Sequence, residues 1–181
     1  NELKLIAHQY DLIMLTESWL KNGKEGLYNI DGYDLHTCNR SGRRIGGGVA
    51  VYVRSNLSVQ KLAEYKTTHA SAYWFVYKQS DFTPIIYSVI YHPPGLTKDY
   101  KNNTTEHIIS TASKLLQSYP NAKLVITGDF NDLDTTQIST LLPLHQIVNF
   151  STRGDAKLDL IYTDVDEYVT SGCLQLPPIL T

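Results

Sequence analysis

The sequence has few of the residues that define several classes of protein. Only two cysteines, Cys38 and Cys173, occur in 181 residues, and no CxxC pair is present. A disulfide framework and a cysteine-based zinc site are therefore excluded, and a reducing compartment is expected. With 11 glycines and 7 prolines, the chain is neither collagen-like nor of low complexity. The hydrophobic fraction of 42% is enough to bury a core, so a folded protein is expected.

Long apolar runs and an excess of positive charge are also missing. No apolar run reaches the roughly 18 residues that a membrane helix needs, so no membrane partner is expected. No segment has the pattern of a signal peptide. The net charge of −2 argues against a strongly basic coat for nucleic acid but leaves a local basic patch open. The chain starts at Asn1 and stops abruptly at Thr181, which indicates a piece of a longer protein.

Apolar, β-branched and aromatic segments predict several strands that are buried on both faces. They cover residues 12–16, 49–53, 71–77, 85–91, 123–127 and 158–162. The helical pattern is clearest from Asn103 to Pro120, and Asn103 and Glu106 have the spacing of a capping box. Shorter helices are predicted at the start of the chain and over 136–142. Many strands and few helices indicate sheets covered by helices, in an α/β or α+β sandwich.

The segment Gly128-Asp129-Phe130-Asn131 is the sharpest signal of chemistry. Asp129 and Asn131 are two residues apart just past a buried strand, so a carboxylate and an amide are expected to point the same way. The ends of buried strands are where α/β folds place their sites. Taken alone, however, the segment fits a simple Asp/Asn turn slightly better.

Two further acidic residues stand next to or within predicted strands. Glu17 closes the first strand, and a single carboxylate there suits Mg²⁺, which keeps several waters. Its alternatives are a turn cap or a solvated side chain. Asp159 lies between Leu158 and Leu160, where a charge facing the core has to be paired; orienting a histidine is one reason for it. Outward exposure from a half-buried strand fits Asp159 equally well.

A tyrosine and a group of arginines are candidates for contacting phosphate. Tyr91 precedes a rigid Pro-Pro pair and offers a phenol donor, although core packing is common for such a residue. The adjacent His92 is expected on the surface. Arg40, Arg43 and Arg44 lie in a loop before a glycine-rich strand entry, where they suit phosphate binding or form a solvated loop.

Taken in order, these segments resemble the endonuclease/exonuclease/phosphatase superfamily. The resemblance is greatest to the apurinic-type endonuclease domain of non-LTR retrotransposons. The matching stretches are residues 11–20, 46–52, 89–94, 128–131 and 158–161. The resemblance implies a four-layer α/β/β/α sandwich (DNase I-like), in which two β-sheets are flanked by helices. It also implies Mg²⁺-dependent hydrolysis of phosphodiesters, with Mn²⁺ as an alternative ion and DNA as the partner.

The resemblance also assigns roles to individual residues. Glu17 would hold the metal ion, and Asp129 would orient or deprotonate the attacking water. Asn131 would position Asp129 and the phosphate, and Tyr91 would contact the phosphate or support charge in the transition state. Asp159 would hold a catalytic histidine in its working tautomer.

Further implications concern the phosphate, the cell and the rest of the polypeptide. Thr152 would be a phosphate-contacting position. The role of the family implies an intracellular, nuclear protein that carries a reverse transcriptase domain on the same full-length polypeptide.

The chain departs from the family pattern at both ends. We expect residues 1–181 to form a single domain that lacks the first strand, with its metal-binding Asn, and the last strand, with its catalytic histidine. Little or no activity is therefore expected from the 181-residue chain alone. The alternatives are a superfamily phosphatase or phospholipid diesterase, and a non-catalytic relic that binds nucleic acid. Weak, salt-sensitive DNA binding without hydrolysis would indicate the relic.

Overall fold

The computed structural model describes residues 2–41, 46–80, 82–165 and 172. Three helices and nine strands occur in these residues. The helices are α1 Glu2–Ile6, α2 Lys98–Ser118 and α3 Thr136–Leu141, and single 3₁₀ turns cover Ala7–Gln9 and Glu25–Tyr28. The strands are β1 Leu12–Thr16, β2 Tyr33–Cys38, β3 Val49–Arg54, β4 Val59–Lys66, β5 Ser71–Tyr77, β6 Ile85–Tyr91, β7 Lys123–Asp129, β8 His145–Gln146 and β9 Asp159–Thr163.

The strands form two sheets. The smaller sheet has the order β1-β3-β2 and is antiparallel. The larger has the order β4-β5-β6-β7-β9-β8, and only β6 and β7 run parallel among its paired strands. Helix α2 makes the crossover between these two parallel strands, as such a connection requires. The carboxyl ends of β6 and β7 therefore meet at one edge of the sheet.

The sheets pack face to face and are covered on their outer sides. Val49, Val51 and Val53 of the small sheet meet Phe75 and Val89 of the large sheet in a shared core. On the far side of the large sheet, α2 and α3 bury apolar residues against β5, β6 and β7. On the far side of the small sheet, α1 and the first 3₁₀ turn pack against β1 and β3. The predicted four-layer α/β/β/α sandwich is therefore confirmed.

The predicted strands are present, with small changes at their ends. Strand β7 continues through Gly128 to Asp129, which the sequence pattern had placed in the following turn. Strands β2, β4 and β8 were not predicted. The first two are edge strands with polar outer faces, so they lack the continuous apolar run of buried strands.

The main helix begins five residues earlier than its apolar pattern suggests. It starts at Lys98 after Thr97, and Asn103 lies in its second turn, so the predicted capping box at Asn103 and Glu106 is wrong. The first turn is polar, which hides it from a pattern search. Within the described residues, no helix combines the length and the apolarity needed to cross a membrane.

Candidate active site

Four of the predicted site residues come together at the ends of neighbouring strands. Tyr91 ends β6 and lies opposite Asp129, the last residue of β7. Asp129 in turn lies opposite Asp159, the first residue of β9. Glu17 follows β1 in the other sheet, and the Tyr91 hydroxyl reaches across to donate to its Oε1 at 2.5 Å. One edge of the molecule thus joins three carboxylates and a phenol.

A tight turn after β1 holds Glu17 in place. Glu17 and Trp19 have φ angles of 49° and 53°, the left-handed region that residues with a side chain seldom adopt. The turn is held by the amides of Ser18 and Trp19, which donate to the carbonyls of Gly48 and Gly47 at 3.2 and 3.0 Å. Such conformations persist where surrounding bonds fix them, and they concentrate at functional sites.

The Glu17 carboxylate is ionised and accepts hydrogen bonds on both oxygens. Tyr91 donates to Oε1, and the Trp19 indole Nε1 donates to Oε2 at 2.9 Å. These two bonds lower the pKa of Glu17 below its usual value, and the bond from Tyr91 has the larger effect. The charges of Arg153 and Arg40 lower the pKa further. Burial together with the bond to Glu17 raises the pKa of Tyr91, so its phenol stays protonated.

Asp129 is almost fully buried, and its neighbours shift its pKa in opposite directions. Burial is the main cause that raises its pKa, and the charge of Asp159 adds to that effect. The Asn131 backbone amide opposes it by donating to Oδ1 at 3.1 Å, and the Arg153 guanidinium opposes it from 3.5 Å. A carboxylate with a raised pKa is a better proton acceptor once ionised, which suits a group that handles water.

Asn131 ties the site to the strand beside it. Its φ of 47° is left-handed, and its side-chain Nδ2 donates to the carbonyl of His92 at 2.8 Å. Its Oδ1 lies 3.5 Å from Nη1 of Arg153. The side chains of Asp129 and Asn131 therefore point the same way, as expected, and both contact the guanidinium of Arg153.

His92 is buried, not on the surface as its place in the sequence suggested. Helix α2 packs over it, and its Nδ1 lies 3.2 Å from the Thr104 hydroxyl. Burial lowers its pKa to about 4, so the imidazole is neutral at physiological pH. Its backbone amide donates to the Asp129 carbonyl at 2.9 Å, which makes it part of the support beneath the site.

The loop arginines divide into one that reaches the site and two whose placement is not described. The Arg40 guanidinium lies over the Tyr91 ring, 5.8 Å from its centre, and also donates to the His69 carbonyl at 3.0 Å. Arg43 and Arg44 fall outside the described residues.

Arg153 is a site residue that the sequence interpretation missed. Its side chain is 61% exposed, yet it contacts both Asp129 and Asn131. It lies in a tight turn closed by pairing with Ala156. No motif around Arg153 in the sequence predicts this placement, because the turn that positions it is formed by the Thr152 hydroxyl.

Thr152 and Asp159 form the far side of the site. The Thr152 hydroxyl oxygen accepts hydrogen bonds from the backbone amides of Leu158 and Asp159, at 2.9 and 3.1 Å, and keeps its own O–H as a donor. All six histidines belong to the described residues, and the contacts described for them do not involve Asp159. Among the described residues, the neighbour of Asp159 on the adjacent strand is therefore Asp129 and not a histidine.

The donor set around Glu17 fits a metal ion held by few protein ligands. In the described ranges, no group of three or more acidic, histidine or cysteine side chains could hold a metal. Mg²⁺ commonly takes one or two carboxylates, with waters and substrate phosphate completing its shell. Glu17 is exposed and ionised, and each of its oxygens keeps a lone pair beyond its one hydrogen bond. Glu17 therefore fits such a single-carboxylate site.

Comparison with known proteins decides the family. A model of the endonuclease/exonuclease/phosphatase family matches residues 2–171. The chain belongs to this family. Its members are hydrolytic nucleases and phosphatases that generally use divalent metal ions, so the chain is of an enzyme family. No curated protein matches the sequence significantly.

Several solved structures share the fold at low sequence identity. The human Nocturnin catalytic domain is 16% identical with a TM-score of 0.63, and the match covers 88% of this chain and 70% of that one. A mannosyl-6-phosphatase from Bacteroides thetaiotaomicron is 14% identical with a TM-score of 0.65, covering 91% and 75%. Truncated Caenorhabditis elegans TDP2 is 12% identical with a TM-score of 0.63, covering 89% and 76%.

Proposed function

We propose that the chain is the endonuclease domain of a non-LTR retroelement, and that its site hydrolyses phosphodiesters in DNA with Mg²⁺. The observation that carries this proposal is the buried Asp129 carboxylate, which lies between Asn131 and Arg153 at the strand edge that also holds Tyr91 and Asp159. The order of motifs along the chain supports the choice of a retroelement nuclease within the family. On the same basis we propose that residues 1–181 form one domain, and that a reverse transcriptase domain shares the polypeptide and acts with it in the nucleus.

Each side chain then has a defined part in hydrolysis. Asp129 accepts a hydrogen bond from the attacking water and takes up its proton as the water oxygen bonds to phosphorus. The bond from phosphorus to the leaving sugar oxygen breaks, and that oxygen takes a proton from solvent. Arg153, with a mostly exposed guanidinium beside Asp129, neutralises a non-bridging phosphate oxygen. Tyr91 holds Glu17 in its ionised state, ready to bind Mg²⁺. The bound ion would supply charge neutralisation to the phosphate.

Nicking of supercoiled plasmid by the complete protein in Mg²⁺ tests this proposal. We expect Asp129→Asn to lower the rate by at least a hundredfold, since it removes the proton acceptor but keeps the shape. Glu17→Gln should raise the Mg²⁺ concentration needed for half-maximal rate. Wild-type nicking that Asp129→Asn leaves unchanged would contradict the proposal.

A parallel assay on sugar phosphates separates the nuclease from the phosphatase reading. Release of phosphate from monoesters without nicking would identify a phosphatase. The isolated 181-residue chain is expected to cleave slowly or not at all, because Asp159 lacks a histidine neighbour among the described residues. Robust cleavage by that chain would contradict this expectation and show that residues 1–181 suffice for activity.

A further inference from the structure

A large aromatic side chain stands exposed at the entrance to the candidate site. Trp19 is 58% exposed, whereas the other tryptophan, Trp74, is fully buried. Single exposed apolar side chains are ordinary, and Leu27 and Phe82 are more exposed than Trp19. What distinguishes Trp19 is that its indole is bonded to Glu17 at the candidate site.

Three contacts fix the position of Trp19. The backbone amide of Trp19 donates to the Gly47 carbonyl at 3.0 Å, and the indole Nε1 donates to Glu17 at 2.9 Å. Its six-membered ring lies against Gly46, where an added Cβ would come within 3.3 Å of the ring. A ring fixed in this way loses little conformational freedom when a flat group stacks on it, which favours binding.

The position of Trp19 relates it to the phosphate chemistry. Glu17 accepts from Trp19 through one carboxylate oxygen and from Tyr91 through the other. Tyr91 lies next to Asp129 across the paired strands. The exposed indole is thus two hydrogen bonds away from the strand edge where the proposed reaction takes place.

We propose that Trp19 is a stacking platform for an unpaired nucleobase next to the phosphodiester held by the site. The inference rests on the proposed function and deepens it by naming the form of the nucleic acid. The faces of a paired base inside a duplex are covered by its neighbours, so a base must be unpaired, terminal or turned out of the stack to reach the indole. DNA with such a base is the preferred substrate over intact duplex.

Fluorescence offers a direct test because the chain has only two tryptophans. Trp74 is buried and serves as an unchanging reference, whereas Trp19 can report stacking. The probes are a thymidine octamer and an abasic octamer of the same length, which carries the same phosphates without bases. The protein carries Asp129→Asn to prevent cleavage, in Mg²⁺ buffer. We expect the thymidine octamer to quench the tryptophan fluorescence and the abasic octamer to leave it unchanged. The anisotropy of a dye attached to each octamer gives the affinities, for this protein and for its Trp19 variants, and the thymidine octamer should bind more tightly.

Two variants separate stacking from the hydrogen bond to Glu17. Trp19→Ala should weaken binding of the thymidine octamer by about five- to a hundredfold and leave the abasic octamer unaffected. Trp19→Phe lacks the indole N–H but keeps an aromatic ring, so it should retain most of the affinity. Circular dichroism of both variants checks that they fold.

The results that would overturn the inference differ from those that would overturn the proposed function. Equal binding of both octamers without quenching would leave the nuclease proposal standing and refute stacking. Equal weakening by Trp19→Phe and Trp19→Ala would show that only the bond to Glu17 matters, and would also refute stacking. If neither octamer binds at low salt, both the stacking inference and the nuclease proposal are refuted.

Discussion

At the scale of single residues, Asp129 carries a conflict between function and stability. Its side chain is buried and faces Asp159, and these two causes raise its pKa. The folded protein therefore binds the Asp129 proton more tightly than the unfolded chain does. Ionisation of Asp129 lowers the free energy of unfolding as the pH rises through its folded pKa.

Asp129→Asn is accordingly expected to stabilise the fold at pH 7 while it abolishes hydrolysis. The amide keeps an oxygen to accept the Asn131 backbone bond and removes the buried charge. We expect a gain on the order of 1 kcal/mol at pH 7 that shrinks near pH 4, where the wild-type carboxyl is increasingly protonated. Urea unfolding at both pH values measures it, and a loss of stability at pH 7 would contradict this assignment.

The two donors to Glu17 are predicted to have unequal effects on its ionisation. The Tyr91 hydroxyl is the larger cause of its lowered pKa, and the Trp19 indole is the smaller. Tyr91→Phe should therefore raise the pKa of Glu17 more than Trp19→Phe does. An NMR titration of the Glu17 carboxyl carbon in each variant measures this order, and the reverse order would show that the bond across the sheets is weak.

At the scale of the elements, the close approach of β6 and β7 depends on one glycine. A Cβ on Gly128 would lie 1.9 Å from the Ile90 carbonyl oxygen, and its φ of 147° also favours glycine. The parallel pair that carries Tyr91 and Asp129 therefore needs glycine at this position.

Gly128→Ala is expected to destabilise the protein by about 3 kcal/mol or more, because the strands must separate or bend. Gly95→Ala is the matched control, since Gly95 also has a positive φ but has no atom within 4 Å of an added Cβ. We expect about 1 kcal/mol for the control, from backbone strain alone. Thermal and urea unfolding compare the two, and equal losses would mean that the contact with Ile90 is not limiting.

Some elements could be read from the sequence and others could not, for physical reasons. Buried strands such as β5 and β6 have continuous apolar runs, and these were predicted with the right ends. Edge strands β2 and β4 have polar outer faces, which break that pattern. The polar first turn of α2 packs little apolar surface, so its start was placed too late.

The site shows the same division. Tyr91 and Asp129 end strands, Asp159 begins one and Glu17 directly follows one, and strand ends can be located from apolar runs. Arg153 reaches the site through a turn whose shape depends on the Thr152 hydroxyl, and nothing in its local pattern marks that geometry. His92 is buried because α2 lies over it, a packing that local sequence does not contain.

At the scale of the whole molecule, the buried His92 and the partly buried His107 should set its acid sensitivity. Burial lowers the pKa of both His92 and His107 from 6.5 to about 4. The unfolded chain binds more protons than the folded one between these values, so stability is present above pH 6.5 and is lost as the pH falls toward 4.

The free energy of unfolding should fall over this range by up to about 3 kcal/mol for each histidine. His92→Gln and His107→Gln should each remove part of the pH dependence, although both lower stability at neutral pH. Urea unfolding from pH 7 to pH 4 provides the measurement. A pH dependence that both variants leave intact would place the acid-sensitive groups elsewhere.

An NMR titration of backbone amides with a thymidine dinucleotide in Mg²⁺ tests most directly whether a phosphodiester binds beside Asp129. It needs no turnover and reports where a phosphodiester binds. We expect the largest shifts at Trp19, Asn131 and Arg153, with saturation at a common affinity. Shifts confined to the groove between α2 and α3, near Lys101 and Gln137, would place phosphate binding away from Asp129 and contradict the proposed site.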